Sequence, residues 1–282
     1  MEKNINDIIE QLKHSYGIDI SAYDHSFLLK SMADKRSGRS NLSISDYYTL
    51  LKNDRNEAFH FAESLHIGYS EFFRNPLTFA FLEQFILPQM WSNKKKTKES
   101  GLRIWSAACA SGQESYSLAI LFDEMAETFV EKPQISIFAT DNNMEELEKA
   151  RKGIYDQGSL NKVTLKRIRN YFTPFGDYYE ISPKVRQYVD FSHFDLLSDQ
   201  RSCPAPSLYG NFDLVFCSNL LFYYKPESRK AIIDKISKTM SPGAFLVTGE
   251  TERDILLKCN FQEVYENSAI FKKSVKKYYN GN

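Results

Sequence analysis

Gly112, Glu114 and Asp141 are the residues of this chain whose types and spacing first suggest chemistry. Gly112 and Glu114 lie in the turn ASGQES, after the apolar run LRIWSAAC and before a helical pattern, and Asp141 closes the next apolar run, ISIFATD. Strand, glycine turn and helix form the layout of a nucleotide-type site, and a carboxylate at the end of the following strand can accept both hydroxyls of an adenosine ribose. Asp141 also has a plainer reading as a helix-initiating residue, because Asn142 and Asn143 follow it and a helix starts at once. The turn holds a single glycine, so the phosphate-cradling G-x-G-x-x-G is missing and a NAD or FAD site is disfavoured. A nucleoside without phosphates suits such a turn. S-adenosylmethionine meets the description: it needs a close backbone approach, a carboxylate such as Glu114 or Asp141 for its polar groups, and no phosphate nest.

A second cluster concerns partners rather than chemistry. The segment KSMADKRSGRS sets Lys30, Lys35, Arg36 and Arg39 close together with only Asp34 opposing them. It reads either as a solvated helix end or as a docking face for an acidic partner, and composition alone leaves both open. The chain as a whole is balanced, with 36 Lys+Arg, 36 Asp+Glu and a formal net charge of +0, which excludes a wholesale nucleic-acid or membrane-surface binder. Cys109, Cys203, Cys217 and Cys259 are far apart with no C-x-x-C pair, and the 5 histidines do not gather near them. That pattern implies a reduced compartment and no metal site. The N-terminal MEKNINDIIEQLKHSYGI mixes acidic with apolar residues, and no apolar run is long enough for a membrane span, so a cytoplasmic protein without direct membrane insertion is expected.

These residues need elements to hold them. With 42% hydrophobic and 14% aromatic residues over 282 positions, the chain can bury the core of one or two domains. The first quarter reads as short helices: Ile5, Ile8, Ile9 and Leu12 fit the i, i+3, i+4, i+7 template, as do Ala58, Phe61, Ala62 and Leu65. Ser43 precedes Asp46 by one helical turn in a capping-box-like start, followed by the apolar face Ile44, Tyr47, Tyr48 and Leu51. The segment NPLTFAFLEQFILPQM predicts a helix burying Phe81, Leu82, Phe85 and Ile86 and stopping near Pro88, with SNKKKTKES as a linker. From Gly101 strand and helix patterns alternate, which predicts parallel strands joined by right-handed crossovers in a doubly wound α/β domain. The first helix of that domain is expected to begin near Tyr116. FDLVFCSN and AFLVTGE are later strands, and FQEVYENSAIFKKS reads as a hairpin that gives an antiparallel edge. The long stretch before FDLVFCSN, with strand candidates YYEIS and VRQYVDF, predicts a small antiparallel insertion.

Four segments in order, YSEFFRNP, WSAACASGQESYSLAI, FATDNNMEELEKARKGIY and FDLVFCSNLLFYY, resemble the motifs of the CheR-type chemotaxis receptor methyltransferases, and the resemblance runs over nearly the whole chain. It implies a Rossmann-like S-adenosylmethionine-dependent methyltransferase domain at 76–282, with a small antiparallel β-subdomain at about 153–190, and an all-α docking domain at 1–75. It implies a protein-glutamate O-methyltransferase that forms methyl esters on cytoplasmic helices of methyl-accepting chemotaxis receptors and leaves S-adenosylhomocysteine. A monomer is expected, with no nucleic-acid partner.

The resemblance also assigns residues. Ser70 and Arg74 would line the methionine end of the cofactor and the transfer site; Gly112 and Glu114 match the glycine turn; Asp141 matches the ribose-binding acid. Asp195 and Leu196 in FDLL would lie beside the adenine, Asn219 and Leu220 would contact the cofactor, and Tyr223 would face the reaction centre. Arg74 and Tyr223 are thus the expected catalytic residues, and Lys30, Lys35, Arg36 and Arg39 the expected docking residues. Three positions depart from the family pattern: Gly68 where many members carry Asn, Gln113 where an acid is usual, and Ser218 where many carry Arg. Two alternatives stay open on those departures, a non-catalytic cofactor-binding adaptor and a carboxyl methyltransferase with a non-receptor acceptor. In some relatives the β-subdomain binds a tethering peptide by strand addition.

Overall fold

A computed structural model describes residues 2–37, 42–66, 68–97, 101–128, 134–198, 200–207 and 210–273. Two compact units account for the chain, Met1–Ile67 with Leu221–Ala231, and Gly68–Leu220 with Ile232–Asn282. The expected division at residue 75 differs from this partition in two ways: the YSEFFRNP segment goes with the second unit, and a segment far along the chain joins the first.

The first unit is built on helices α1 (Glu2–Tyr16), α2 (His25–Ser37), α3 (Ile44–Asn53) and α4 (Arg55–Ser64). Its core takes Ile5, Ile8 and Leu12 from α1, Leu28 and Met32 from α2, Tyr47 and Leu51 from α3, and Ala58 and Phe61 from α4. The capping box forms as the sequence predicts: the Asp46 amide donates to Ser43 Oγ at 3.1 Å and the Ser43 amide donates to Asp46 Oδ2 at 3.0 Å.

The second unit opens with α5 (Pro76–Phe81), which passes through a π-turn at Leu82–Ile86 into α6 (Leu87–Thr97). In chain order there follow β1 (Leu102–Ala107), α7 (Gln113–Glu127), β2 (Ile135–Asp141), α8 (Met144–Lys152), β3 (Ile154–Asp156), α9 (Leu165–Tyr171), β4 (Phe172–Phe175) and β5 (Tyr178–Ile181). Then come α10 (Pro183–Arg186), β6 (Val189–His193), β7 (Phe212–Phe216), α11 (Pro226–Thr239), β8 (Met240–Val247), α12 (Arg253–Leu257), β9 (Phe261–Glu263) and β10 (Ile270–Lys273). The main sheet has 7 strands in the order β6-β2-β1-β7-β8-β10-β9, and β3-β5-β4 form a separate antiparallel sheet. Strands β6, β2, β1, β7 and β8 are parallel, while β10 runs antiparallel to both β8 and β9, as the hairpin reading predicts. From β1 the chain steps outward to β2 and β6, then returns to the other side of β1 as β7, so the switch point of the sheet lies at β1.

Five expectations from the sequence differ from the structure. The helix does not stop near Pro88: the Leu87 amide bonds back to Leu82 O across the π-turn, and that wide turn accommodates a proline lacking its own donor. The same turn shifts the facing of the helix, so Phe85, expected in the core, is 50% exposed. Most of the expected SNKKKTKES linker is instead the end of α6, where Lys94 Nζ reaches Asp213 Oδ1 at 2.9 Å in a mostly buried pair. Helix α7 begins at Gln113 rather than near Tyr116, because left-handed Gly112 serves directly as its N-cap. Finally, YYEIS lies in the small sheet as expected, but VRQYVDF supplies α10 and β6, and β6 pairs in parallel with β2 in the main sheet, Val189 opposite Ile137.

Gly153 makes the turn from α8 into the small sheet with φ +64°, and an added Cβ would lie 2.5 Å from Ile181 Cγ2. Gly153→Ala is therefore expected to lower stability by about 1–3 kcal/mol in urea denaturation, and an unchanged midpoint would contradict this packing.

Candidate functional site

Ligands of open α/β sheets bind outside the carboxyl ends of the strands at the switch point. The expected cofactor residues of this chain gather there. Beyond β1 the backbone alternates through left-handed conformations at Ala108 (φ +54°), Ala110 (φ +46°) and Gly112 (φ +88°). Non-glycine residues adopt this region only when surrounding bonds enforce it. The bonds are present: the Cys109 amide donates to Thr140 O at 2.9 Å, the Ala110 amide to Asp141 Oδ2 at 2.8 Å, and the Gly112 amide to Cys109 O at 3.0 Å. Asp141 thus ties the turn after β1 to the end of β2. It does not cap α8; Asn143 does, accepting from the amides of Glu145 and Glu146. Asp141 Oδ1 takes the Asn143 amide at 2.8 Å. Gly112 itself allows close helix packing, since a Cβ there would lie 2.9 Å from Ala150 Cβ and 3.1 Å from Phe191 Cζ.

Glu114, in the first turn of α7, is buried, and its Oε1 has no hydrogen-bond partner among the described residues. Burial pushes its carboxyl up to about 8; the Arg74 guanidinium opposes this, the Glu252 and Glu71 charges reinforce it, and the Ser218 hydroxyl works with Arg74. Ser70 Oγ is likewise buried and without a partner. A carboxylate held in such a place is complementary to a ligand cation.

The YSEFFRNP segment is pinned from below. The Phe73 amide, at φ +50°, donates to Ser117 Oγ at 3.0 Å, and the Arg167 guanidinium lies 4.6 Å from the Phe73 ring centroid while Glu124 and Glu83 hold it. Glu71 is engaged by Lys162 at 2.6 Å. Arg74 has looser contacts, 5.1 Å from the Tyr69 ring and 3.5 Å from Tyr69 O. The Gly68 departure has a local counterpart: a Cβ there would sit 2.6 Å from Glu146 Cδ, so the Glu146 side chain, paired with Lys149 at 2.7 Å, occupies the space of a larger residue.

On the other flank, Asp195 closes a turn by accepting the Leu197 amide at 2.8 Å, and Leu196 is buried next to it. Asn219 is left-handed at φ +58°, with its Oδ1 accepting from Ser218 Oγ at 2.9 Å and its amide donating to Glu252 Oε2 at 2.8 Å; Leu220 follows. Ser70, Arg74, Gly112, Glu114, Asp141, Asp195, Leu196, Asn219 and Leu220 all belong to the second unit.

Tyr223 and the expected docking residues belong to the first unit. There the Asp24 amide donates to Tyr223 O at 2.8 Å, the Lys225 amide to Ala22 O at 2.9 Å, and Tyr23 stacks on Tyr224. Phe27 packs on Tyr223 at 4.8 Å. These contacts bring Tyr223 to a pocket of about 490 Å³ whose lining includes Phe27, Phe222, Lys30 and Lys35. Arg36 lies in the last turn of α2 without lining this pocket, and Arg39 lies outside the described residues.

The family model described as CheR methyltransferase, SAM binding domain, matches residues 69–269. The chain belongs to the CheR methyltransferase family. A chemotaxis protein methyltransferase of Vibrio parahaemolyticus is 31% identical over 79% of this chain and 82% of its own length, and one of Listeria monocytogenes is 28% identical over 90% and 91%. An uncharacterized 104.1 kDa protein of Rhodobacter capsulatus is 28% identical over 90% of this chain, which spans only 26% of that protein. S-adenosylmethionine is accordingly the cofactor of this domain. The structure fits it: the buried Glu114 carboxylate with Ser70 Oγ suits the ammonium of its methionine end, and Asp141 suits the ribose. Among the described residues no helix is long and apolar enough to cross a membrane.

The sequence reading missed Glu146 and Glu252, both buried. Glu252 sits just past the apolar run AFLV, and a carboxylate at such a strand end was the available signal.

Because the folded-state value of Glu114, about 8, lies above its unfolded value, its contribution to stability is whole below the unfolded pKa and is lost as pH rises through about 8. A bound cation favours the ionised form, so affinity for S-adenosylmethionine is expected to increase with pH up to about 8. Glu114→Gln should flatten both profiles in calorimetric binding and thermal unfolding; profiles identical to wild type would contradict the assignment.

Proposed function

We propose that this chain is a cytoplasmic, monomeric protein-glutamate O-methyltransferase that esterifies glutamate side chains on the helices of methyl-accepting chemotaxis receptors. The observation that carries the reading is the pocket of the first unit, which Tyr223 lines together with Lys30 and Lys35, two cations against the single acid Asp34. Cationic side chains around an aromatic pocket suit a carboxylate on a macromolecular acceptor, and a small molecule would not need an extended basic helix. Lys35 and Arg36 also complement the C-terminal dipole of α2, but Lys30 lies outside that last turn.

A glutamate carboxylate has an ordinary pKa of about 4.3 and is ionised at neutral pH, so the acceptor needs no general base. S-adenosylmethionine supplies a methyl group on a positively charged sulfur. The protein's part is to bind, align and exclude water, because bringing the acceptor's negative charge to that cation cancels both. Glu114 and Asp141 hold the cofactor's two ends, Arg74 orients the carboxylate or the cofactor end beside it, and Tyr223 aligns the acceptor. Retention of Arg74, Asp141, Asn219 and Tyr223 supports an active enzyme over an adaptor.

Incubation with methyl-labelled S-adenosylmethionine and receptor-bearing membranes should put label in the receptor band that mild base releases as methanol. Absence of releasable label, with cofactor binding intact, would refute the reading. Reversing charge in Lys35→Glu/Arg36→Glu is expected to raise the receptor KM roughly tenfold at low salt and less at high salt. Tyr223→Phe and Arg74→Ala should each lower kcat on the receptor; wild-type turnover in both would remove their roles.

A further inference from the structure

Glu252 is a carboxylate with 0% exposure at the start of α12. Its Oε2 accepts two backbone N–H groups at once, from Asn219 at 2.8 Å and from Gly249 at 2.8 Å. The Gly249 bond alone would be an ordinary cap on a short helical turn, and such capping carboxylates sit at the surface. The Asn219 bond is of another kind, because it crosses between the loops that leave β7 and β8, adjacent strands of the sheet. Burying a carboxylate is costly without compensating partners, so a side chain placed there to cap one turn would be a poor exchange.

The two loops are fitted to each other around Asn219. Its backbone is held left-handed at φ +58°, its Oδ1 is fixed by Ser218 Oγ, and its amide nitrogen lies against Gly249, where a Cβ would come within 2.7 Å. Glu252 thus acts on the backbone of Asn219, one of the residues expected to touch the cofactor.

We propose that Glu252 is a positioning residue of the cofactor site, clamping the loop ends after β7 and β8 so that Asn219 presents its side chain at one fixed place. The proposal rests on the cofactor lying at these strand ends. A second consequence concerns charge. The groups acting on Glu114 are Arg74 and Glu71 from the segment before α5, Cys109 after β1, Cys217 and Ser218 after β7, and Glu252 after β8. Removing the Glu252 charge takes away one of the influences that keep Glu114 protonated.

Binding of S-adenosylmethionine measured by calorimetry across pH, together with thermal unfolding, tests the clamp. Glu252→Gln keeps an oxygen able to accept both N–H groups; it should fold, and the pH at which affinity rises should move downward, a shift that a merely structural role would not produce. Gly249→Ala would put a Cβ 2.7 Å from Asn219 Nδ2 and 3.0 Å from Glu252 Oε2, so it crowds both sides of the clamp and should weaken binding about tenfold, as should Glu252→Ala where it folds. Asp141→Ala serves as the control for placement and should lose affinity. If Asp141→Ala loses affinity while Gly249→Ala and a folded Glu252→Ala bind as wild type, the clamp is overturned. If Asp141→Ala also binds normally, the placement of the cofactor falls and the clamp falls with it.

Discussion

The structure of the second unit depends on a carboxylate that the protein itself leaves incompletely satisfied. Glu114 is buried in the first turn of α7, one of its oxygens has no donor, and burial outweighs the help it receives from Arg74 and Ser218. Such a group destabilises its own ionised form, and a ligand cation beside it would offset that cost. The surrounding backbone is arranged at comparable cost. Ala108, Ala110, Gly112 and Asn219 all hold left-handed conformations at the strand ends, and Asp141 and Glu252 supply the acceptors that keep two of those loops in place. Ala110 is tied to the end of β2 through Asp141, and Asn219 to the loop after β8 through Glu252.

The two units divide the work by chemistry. The second carries the anionic and hydroxyl groups suited to a cationic nucleoside, and the first carries a cationic helix with aromatic side chains suited to an anionic acceptor. Leu221–Ala231 belongs to the first unit although it follows directly on the Asn219 loop, so FDLVFCSNLLFYY contributes residues to both units.

Much of this was legible in the sequence because it depends on local signals. The capping box at Ser43, the strand ISIFATD ending on Asp141, the glycine turn and the C-terminal hairpin all follow from short-range chemistry, and each appears where that chemistry places it. The failures share a different cause. Pro88 lies inside a helix because a π-turn precedes it, the Lys94 segment is helical because Asp213, far along the chain, accepts its charge, and VDF joins the main sheet because β2 offers an open edge. Glu252 escaped notice for the same reason: its second bond is to Asn219, a tertiary partner that no local pattern announces. Gly68 looked like a loss against the family pattern, whereas Glu146 fills the space beside it.

The central claim is that a buried, protonated carboxyl becomes the counter-ion of the cofactor. Calorimetry of S-adenosylmethionine binding at pH 7 in two buffers of different ionisation enthalpy counts the protons exchanged. The account predicts net proton release on binding, absent in Glu114→Gln. Equal apparent enthalpies in the two buffers, or the same release from the variant, would contradict it.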